Sequence, residues 1–372
     1  MNRLREFLAC FSFLALLVAA CGPAATPAPV APTPEGSSSN DFGVILMAHG
    51  GNPEWDAAVL EAVRPLQEKH VLEVAFGMAD AKSLQEAIRR LEARGVRRIG
   101  VVRLFVSGES FLDATEQIFG LRPGAPGPEH AGHVMHPVLA AYMAGGHGSP
   151  PADDDDDEGG HAKDGTHGGI GEHTGGHAGH GGGHGAPGGG HGAHGGGHGG
   201  HSMEFFRVET KSSFALSTHG LIDSEQTGAI LADRALALSK APEREDVLIL
   251  AHGPGDDAEN ERWLAALEQR AATVRTRAPF RRVRAETLRE DWPDKRVAAE
   301  ERVRAFVQRA ADEGGTAIVI PFRVQGFGPY AKVLKGLEYV ANQRGLIPHP
   351  EVARWIEQEI AALASGEFRT PQ

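Results

Sequence analysis

A short pattern that occurs twice in the chain restricts its fold more than any other feature. Residues 43–48 and 246–251 are almost entirely apolar, and each run is followed directly by a His-Gly pair, His49-Gly50 and His252-Gly253. A continuous apolar run of this length is typical of a strand that is buried on both faces. The glycine permits a sharp turn, so each histidine is predicted to lie at the carboxyl end of a strand.

Predicted strands and helices alternate along both halves of the chain. In the first half, strands are predicted over residues 43–48, 71–76, 99–105 and 213–217, and helices over residues 54–70, 83–94 and 225–239. In the second half, strands are predicted over residues 246–251 and 318–322, and a helix over residues 351–364. Buried strands separated by helices indicate an α/β fold with a mainly parallel sheet covered by helices on both faces.

Three landmarks recur in the same order, which predicts that one unit has been duplicated. They are the two His-Gly turns, the apolar runs 101–105 and 318–322, and the Gly-Leu-Ile segments 220–222 and 345–347. We therefore expect two tandem three-layer αβα units, the first over residues 41–240 and the second over residues 241–372.

The first 40 residues indicate export and a membrane anchor. Arg3 and Arg5 precede an apolar run over residues 7–20 that is shorter than the roughly 20 residues of a spanning helix and ends just before Cys21. This order resembles a bacterial lipobox, so residues 1–21 are predicted to be a lipoprotein signal with Cys21 lipidated. A plain signal peptide with an incidental cysteine is the alternative. Residues 22–40 have the composition of a flexible tether, and the expected location is the cell envelope, on a periplasmic or outer membrane face.

A histidine- and glycine-rich insert occupies residues 145–202, inside the first predicted unit. It holds eleven of the 19 histidines and lacks apolar residues to offset the entropy of ordering, so disorder is expected without a ligand. Two groups of histidines recur at steps of three and four, namely His173, His177, His180 and His184, and His191, His194, His198 and His201. Such tracts bind Ni²⁺, Co²⁺, Zn²⁺ or Cu²⁺ through several imidazoles; an inert linker is the alternative.

Charge and cysteine content limit which partners and which metal ligands are expected. A formal net charge of -12 disfavours nucleic acid as a partner. Of the two cysteines, Cys10 lies in the predicted signal and Cys21 would be lipidated. Histidines and carboxylates are therefore left as the metal ligands of the mature protein.

Further motifs resemble those of the sirohydrochlorin cobaltochelatases and ferrochelatases, which are class II tetrapyrrole chelatases. The similarity lies in the strand-Ala-His-Gly start, in residues 75–79 (Ala-Phe-Gly-Met-Ala) and in residues 97–105 with the glycine loop that follows. It covers the chain outside the tether and the insert, and the duplication is similar to the two-repeat long form. The resemblance implies a tetrapyrrole pocket between the halves and a divalent metal ion, Co²⁺, Ni²⁺, Fe²⁺ or Zn²⁺, at His49.

The candidate ligands of the first half follow predicted strands, where doubly wound sheets bind ligands. The resembled family usually has a second histidine in the glycine loop after the third strand, and here that loop offers Glu109. His49 and Glu109 are therefore predicted as the catalytic, metal-binding pair, with a solvated loop residue or a helix cap as the alternative for Glu109. His219, after the strand 213–217, is a further candidate ligand that is expected to face the same crevice.

The second half offers His252 as a metal ligand without an evident partner. The corresponding loop has only Gln325, with Tyr330 nearby, so a structural role is the alternative for His252. We expect this half to form the other wall of the pocket. In the turn 326–330, Phe327 is predicted either to stack on a flat macrocycle or to lead into a helix.

The candidate ligands and the family resemblance favour two main functions. One is an enzyme that inserts Co²⁺ or Fe²⁺ into sirohydrochlorin or a related tetrapyrrole, because a neutral imidazole both holds a cation and accepts protons near pH 7. The other is a non-catalytic lipoprotein that captures, stores or hands on Ni²⁺, Co²⁺ or Zn²⁺, because the implied substrate is cytosolic whereas export is predicted. A tetrapyrrole carrier forms a third class.

Overall fold

The computed structural model describes residues 41–130 and 204–372. The predicted signal, the tether, Cys21 and the histidine-rich insert lie outside the described residues, so the eight insert histidines proposed as ligands stay a prediction. Within the described residues, no helix is both long and apolar enough to cross a membrane.

The first sheet has four parallel strands. They are β1 (Phe42–Ala48), β2 (Leu72–Phe76), β3 (Arg98–Leu104) and β4 (Ser213–Leu216), in the order β2-β1-β3-β4. Helices α1 (Pro53–Gln67), α2 (Ala81–Ala93), α3 (Leu112–Ile118) and α4 (Glu225–Leu238) follow these strands in turn. The first two helices begin at side-chain caps, since Asn52 accepts from the Trp55 N–H and Asp80 from the Ser83 N–H, each at 2.8 Å.

The second sheet has three parallel strands. They are β5 (Glu245–Ala251), β6 (Arg282–Thr287) and β7 (Thr316–Phe322), in the order β6-β5-β7. Helix α5 (Asp257–Arg277) follows β5, α6 (Pro293–Asp312) follows β6, and α7 (Tyr330–Val333) and α8 (Pro350–Ala364) follow β7. The two parallel sheets confirm the mixed α/β fold and fit two tandem units.

The strand register corrects the sequence match between the halves by one residue. Ala48 pairs with Leu104 in the first sheet, and Ala251 pairs with Phe322 in the second. Phe322 is thus equivalent to Leu104, whereas the sequence comparison aligned it with Phe105. Apolar runs carry no register information of their own, because register is fixed by hydrogen bonding to the neighbouring strand. The first residue beyond β7, level with His252, is consequently Arg323.

The last helix of each half packs on the other half. Helix α4 follows the first sheet but contacts α5 and β7, and α8 follows the second sheet but contacts α1 and β3. One apolar core therefore includes residues from both sheets and from α8, among them Val102, Ile249 and Trp355. The domain boundary after residue 240 remains a prediction, and the exchanged helices show that the two halves share a core across it.

A buried carboxylate fixes the amino end of the second sheet. Asp246 in β5 has no exposed side-chain surface, and it accepts from Arg281 Nε at 2.8 Å and from Arg282 Nε at 2.9 Å. Both arginines lie at the start of β6, so this cluster joins the two strands at the edge opposite the His-Gly turn. Removing one partner of a buried pair costs more than the pair contributes, because the remaining charge is left uncompensated.

We expect Asp246→Asn to lower the free energy of unfolding by about 3 kcal/mol, measured by urea denaturation. Glu268→Gln is the matched control, since Glu268 forms an exposed pair with Arg275. Its effect should be within about 1 kcal/mol. Equal effects of the two substitutions would contradict a structural role for the buried carboxylate.

Candidate metal centre

Three polar residues meet at the carboxyl edge of the second sheet. His252 directly follows β5, and its carbonyl accepts from the Glu290 N–H at 3.2 Å, which places Glu290 beside it beyond β6. Arg323 directly follows Phe322, the β7 partner of Ala251. The parallel pairing of three strands therefore brings an imidazole, a carboxylate and a guanidinium to one level of the sheet edge.

The Glu290 carboxylate is held by an ion pair. Arg323 Nη1 donates to both carboxylate oxygens, at 2.7 Å and 2.9 Å. The Glu290 side chain is only 11% exposed, and that of Arg323 is 28% exposed. Desolvation lowers the pKa of Arg323, but Glu290 and the nearby Tyr330 outweigh this effect, so the pKa lies above its usual value. Arg323 therefore stays charged in this pair.

His252 is held against an aromatic ring in a desolvated position. Its imidazole stacks on Trp263 of α5, with ring centroids 5.4 Å apart and an interplanar angle of 26°. Desolvation lowers the pKa of His252, and the negative charge of Glu290 only partly offsets it. A neutral imidazole with an available lone pair is the form that binds a metal ion.

The first sheet presents His49 at the equivalent position. Its Nδ1 donates to the Gly50 carbonyl at 2.6 Å, and its ring lies 6.3 Å from that of Trp55 in α1. Gly50 has φ +76°, in the left-handed region that favours glycine, so the sharp turn inferred from the sequence is present. Both His-Gly turns thus lie at a carboxyl sheet edge, as expected.

Glu109, the predicted partner of His49, reaches toward the second half of the chain. Both of its oxygens accept from Arg262 Nη2 of α5, at 3.0 Å and 3.2 Å. The two side chains are 61% and 58% exposed, so water screens the pair and its contribution to stability is small. Glu109 also lies near Glu259, whose pKa is raised mainly by burial and further by the Glu109 charge. The assignment of Glu109 as a catalytic ligand stays a prediction.

His219 lies apart, at the mouth of a cleft between β4 and α8. Its side chain is 68% exposed, and Nδ1 is 3.8 Å from Glu359 Oε1. The cleft has a volume of about 250 Å³ and is also lined by Ser217, Leu363 and Arg369. Burial is the main reason why the pKa of Glu359 is raised. The structure therefore gives His219 a carboxylate neighbour that the sequence did not suggest.

Among residues 41–130 and 204–372, no group of three or more His, Cys, Asp or Glu side chains is arranged to hold a metal ion. His252 and Glu290 are two potential ligands from neighbouring positions on the sheet edge. An ion bound there would keep open coordination positions, as a metal that is to be transferred requires.

Sequence reasoning did not identify Glu290 and Arg323. Strand β6 alternates charged and apolar residues, so it gave no continuous apolar run, and the acidic pair Glu290-Asp291 after it was not recognised as a strand-end position. In the turn 326–330, Phe327 is only 6% exposed and stacks on Tyr339, which agrees with a turn leading into a helix. Tyr330 begins α7 and is fully buried.

We expect the imidazole of His252 to titrate at a lower pH than an ordinary histidine, because desolvation lowers its pKa. Histidine ¹⁵N chemical shifts followed by NMR should give a midpoint below about 6.5. Glu290→Gln removes the main influence that raises this pKa, so the midpoint should fall further. A midpoint at or above the usual value would contradict the desolvated position.

Part of the chain is similar to a known protein family, and its fold is similar to solved structures. The CbiX family model matches residues 43–108, a span that contains His49 and ends just before Glu109. No curated protein sequence matches the chain. SirB from Bacillus subtilis with Fe³⁺ has 12% sequence identity and a TM-score of 0.50, with 88% of this chain and 98% of that chain covered.

Two further solved structures are similar at lower scores. The sirohydrochlorin chelatase SirB from Bacillus subtilis subspecies spizizenii, in complex with cobalt, has 10% identity and a TM-score of 0.47, covering 87% of this chain and 95% of that chain. A multi-domain protein from Deinococcus radiodurans with structural similarity to chelatases has 17% identity and a TM-score of 0.40, covering 88% and 57%. Residues 43–108 are thus similar to the CbiX family, and the fold of the chain is similar to that of SirB.

Proposed function

We propose that this protein binds a divalent metal ion at His252 and Glu290 and inserts it into sirohydrochlorin or a related tetrapyrrole. One observation carries the proposal: the Glu290 N–H donates to the His252 carbonyl at the carboxyl edge of the sheet, and the Glu290 charge is near enough to raise the pKa of the imidazole against the effect of desolvation. Ligands of doubly wound sheets bind at this edge. The solved SirB structures with Fe³⁺ and with cobalt add support at the level of the fold.

The donor set suits cations of intermediate softness. An imidazole nitrogen with a carboxylate oxygen favours Co²⁺, Ni²⁺, Fe²⁺ or Zn²⁺ over Mg²⁺ or Ca²⁺. The lowered pKa of His252 keeps its lone pair available at neutral pH. The metal ion is a substrate here, so moderate affinity from two ligands is an advantage, because the ion must leave for the macrocycle.

Insertion also requires a base, since a tetrapyrrole loses two pyrrole protons as it accepts a divalent ion. His252 and Glu290 become available for protons once they release the cation, and both lie at the sheet edge where the macrocycle is proposed to bind. Glu290 is mostly buried, so its proton transfer would occur away from bulk water. Positioned acids and bases of this kind contribute typically 10²–10⁴-fold to rates.

His49 and Glu109 remain a second candidate centre. The family model covers His49, while Glu109 is engaged with Arg262 on the surface. The second sheet has the better-defined pair, because Glu290 is adjacent to His252 within one half of the chain. The sequence predicted this half only as the other wall of the pocket, so the assignment of the metal site to His252 and Glu290 is a new proposal.

We expect His252→Ala and Glu290→Gln each to lower the Co²⁺ affinity and the metallation rate at least about tenfold, because each removes one of two ligands. The measurement is the absorption change of sirohydrochlorin mixed with Co²⁺ and the full chain. His49→Ala compares the first-half candidate, and His70→Ala, in the turn that follows α1, is the matched control. Loss of metallation in His49→Ala alone would overturn the assignment to the second sheet.

Non-catalytic metal capture is the competing function, and eleven histidines in residues 145–202 support it. It predicts no metallation above the uncatalysed rate and a Co²⁺ or Ni²⁺ stoichiometry that falls when residues 145–202 are deleted. Calorimetric titration of the full chain and the deletion variant separates the two functions. An unchanged stoichiometry would exclude storage by the insert.

We also propose that the protein is exported and anchored by a lipid on Cys21, on the basis of the lipobox-like order of residues 1–21. Cys21→Ala should move the protein from the membrane fraction to the soluble fraction, and it should abolish incorporation of radiolabelled fatty acid. Cys10→Ala is the matched control and should change neither. Fractionation of Cys21→Ala with the membrane would contradict lipid anchoring.

A further inference from the structure

We propose that Arg323 binds a carboxylate of the incoming macrocycle and thereby couples macrocycle binding to metal binding at His252 and Glu290. The inference rests on the proposed function. It assigns to Arg323 the recognition of anionic substituents and the control of when the Glu290 carboxylate accepts a metal ion.

Arg323 competes with a metal ion for the Glu290 carboxylate. In the structure both Glu290 oxygens accept from Arg323 Nη1, so the carboxylate that would bind a metal ion already neutralises a cation. A divalent ion at Glu290 would lie within a few ångströms of the guanidinium, and the two positive charges would repel each other in a poorly solvated site. Metal binding is therefore opposed until Arg323 moves or gains another negative partner.

A carboxylate of the macrocycle is suited to be the second negative partner of Arg323. Both contacts to Glu290 come from Nη1, and a guanidinium fork can bind a second carboxylate through its remaining N–H groups. The Arg323 side chain is more exposed than that of Glu290, so a ligand reaches it first. A tetrapyrrole that carries carboxylates supplies this partner at the same edge where the metal ion is transferred.

The turn 326–330 holds the Arg323 side chain in position. Its guanidinium lies against Gly328, where a Cβ atom would be 2.7 Å from Cζ, and Gly328 has φ +60°. The Tyr330 ring centroid lies 5.8 Å from the same Cζ. The turn 326–330 thus positions Arg323, and the close approach permitted by glycine serves the guanidinium. A positioned, partly exposed arginine is suited to recognition, because little side-chain freedom is lost on binding.

The test measures two affinities in the full chain, for Co²⁺ alone and for sirohydrochlorin alone. Co²⁺ binding at His252 is read as the quenching of tryptophan emission that the Trp263→Phe variant lacks, since Trp263 stacks on His252. Arg323→Gln should raise the Co²⁺ affinity several-fold and lower the sirohydrochlorin affinity about tenfold, within the range of typical coupling between sites. Changes in opposite directions distinguish coupling from a purely structural ion pair.

Two further variants sharpen the result. Arg277→Gln is the matched control, because Arg277 forms an exposed pair with Asp233 at the C-terminal end of α5, and it should leave both affinities unchanged. Arg323→Lys keeps the charge but loses the fork, so it should weaken sirohydrochlorin binding with little effect on Co²⁺. If Arg323→Gln does not fold, the sirohydrochlorin affinity of Arg323→Lys tests the proposal, and an unchanged affinity would contradict it.

The outcomes separate the two proposals. If His252→Ala weakens Co²⁺ binding while Arg323→Gln changes both affinities in the same direction or neither, the coupling is wrong and the metal site stands. If Co²⁺ binding is insensitive to His252→Ala, the proposed function and the coupling both fail.

Discussion

The parallel pairing of β5 with β6 and β7 is the constraint on which the candidate centre depends. Hydrogen bonding holds Ala251 level with Thr287 on one side and with Phe322 on the other. The residues that leave these strands are therefore delivered to one edge, whatever their separation in the chain. His252, Glu290 and Arg323 come together in this way, and a shift of one strand by one residue would place the adjacent side chains on opposite faces.

Packing between the halves keeps that edge in place. Helix α5 supplies Trp263, which covers His252, and α4 from the first half packs on α5 and β7. In the same way, helix α8 from the second half packs on α1 and β3 of the first half. Because the helices cross, the core residues that support one sheet edge belong partly to the other half. At the opposite end, Asp246 joins β5 to the start of β6.

Much of the fold could be predicted from the sequence, and the site only in part. The apolar runs and His-Gly turns predicted six of the seven strands in the described residues and located both histidines at strand ends, because buried strands and glycine turns have local signatures. Strand β6 was missed because its charged and apolar residues alternate, so it forms no continuous apolar run; its charges are paired, as Glu286 is with Arg302 of the next helix. Because β6 was not predicted, Glu290 could not be located at the end of a strand. The alignment of the runs 101–105 and 318–322 did not fix the strand register, so it could not show that Arg323 lies level with His252.

The most direct measurement of the central claim is anomalous diffraction from crystals of the full chain soaked with Co²⁺. The account predicts a cobalt peak within bonding distance, about 2.0–2.2 Å, of a His252 ring nitrogen and a Glu290 oxygen. It also predicts a longer separation between Arg323 Nη1 and the Glu290 carboxylate than the 2.7 Å of the metal-free pair. Cobalt bound at His49 and Glu109, with His252 and Glu290 unliganded, would contradict the account.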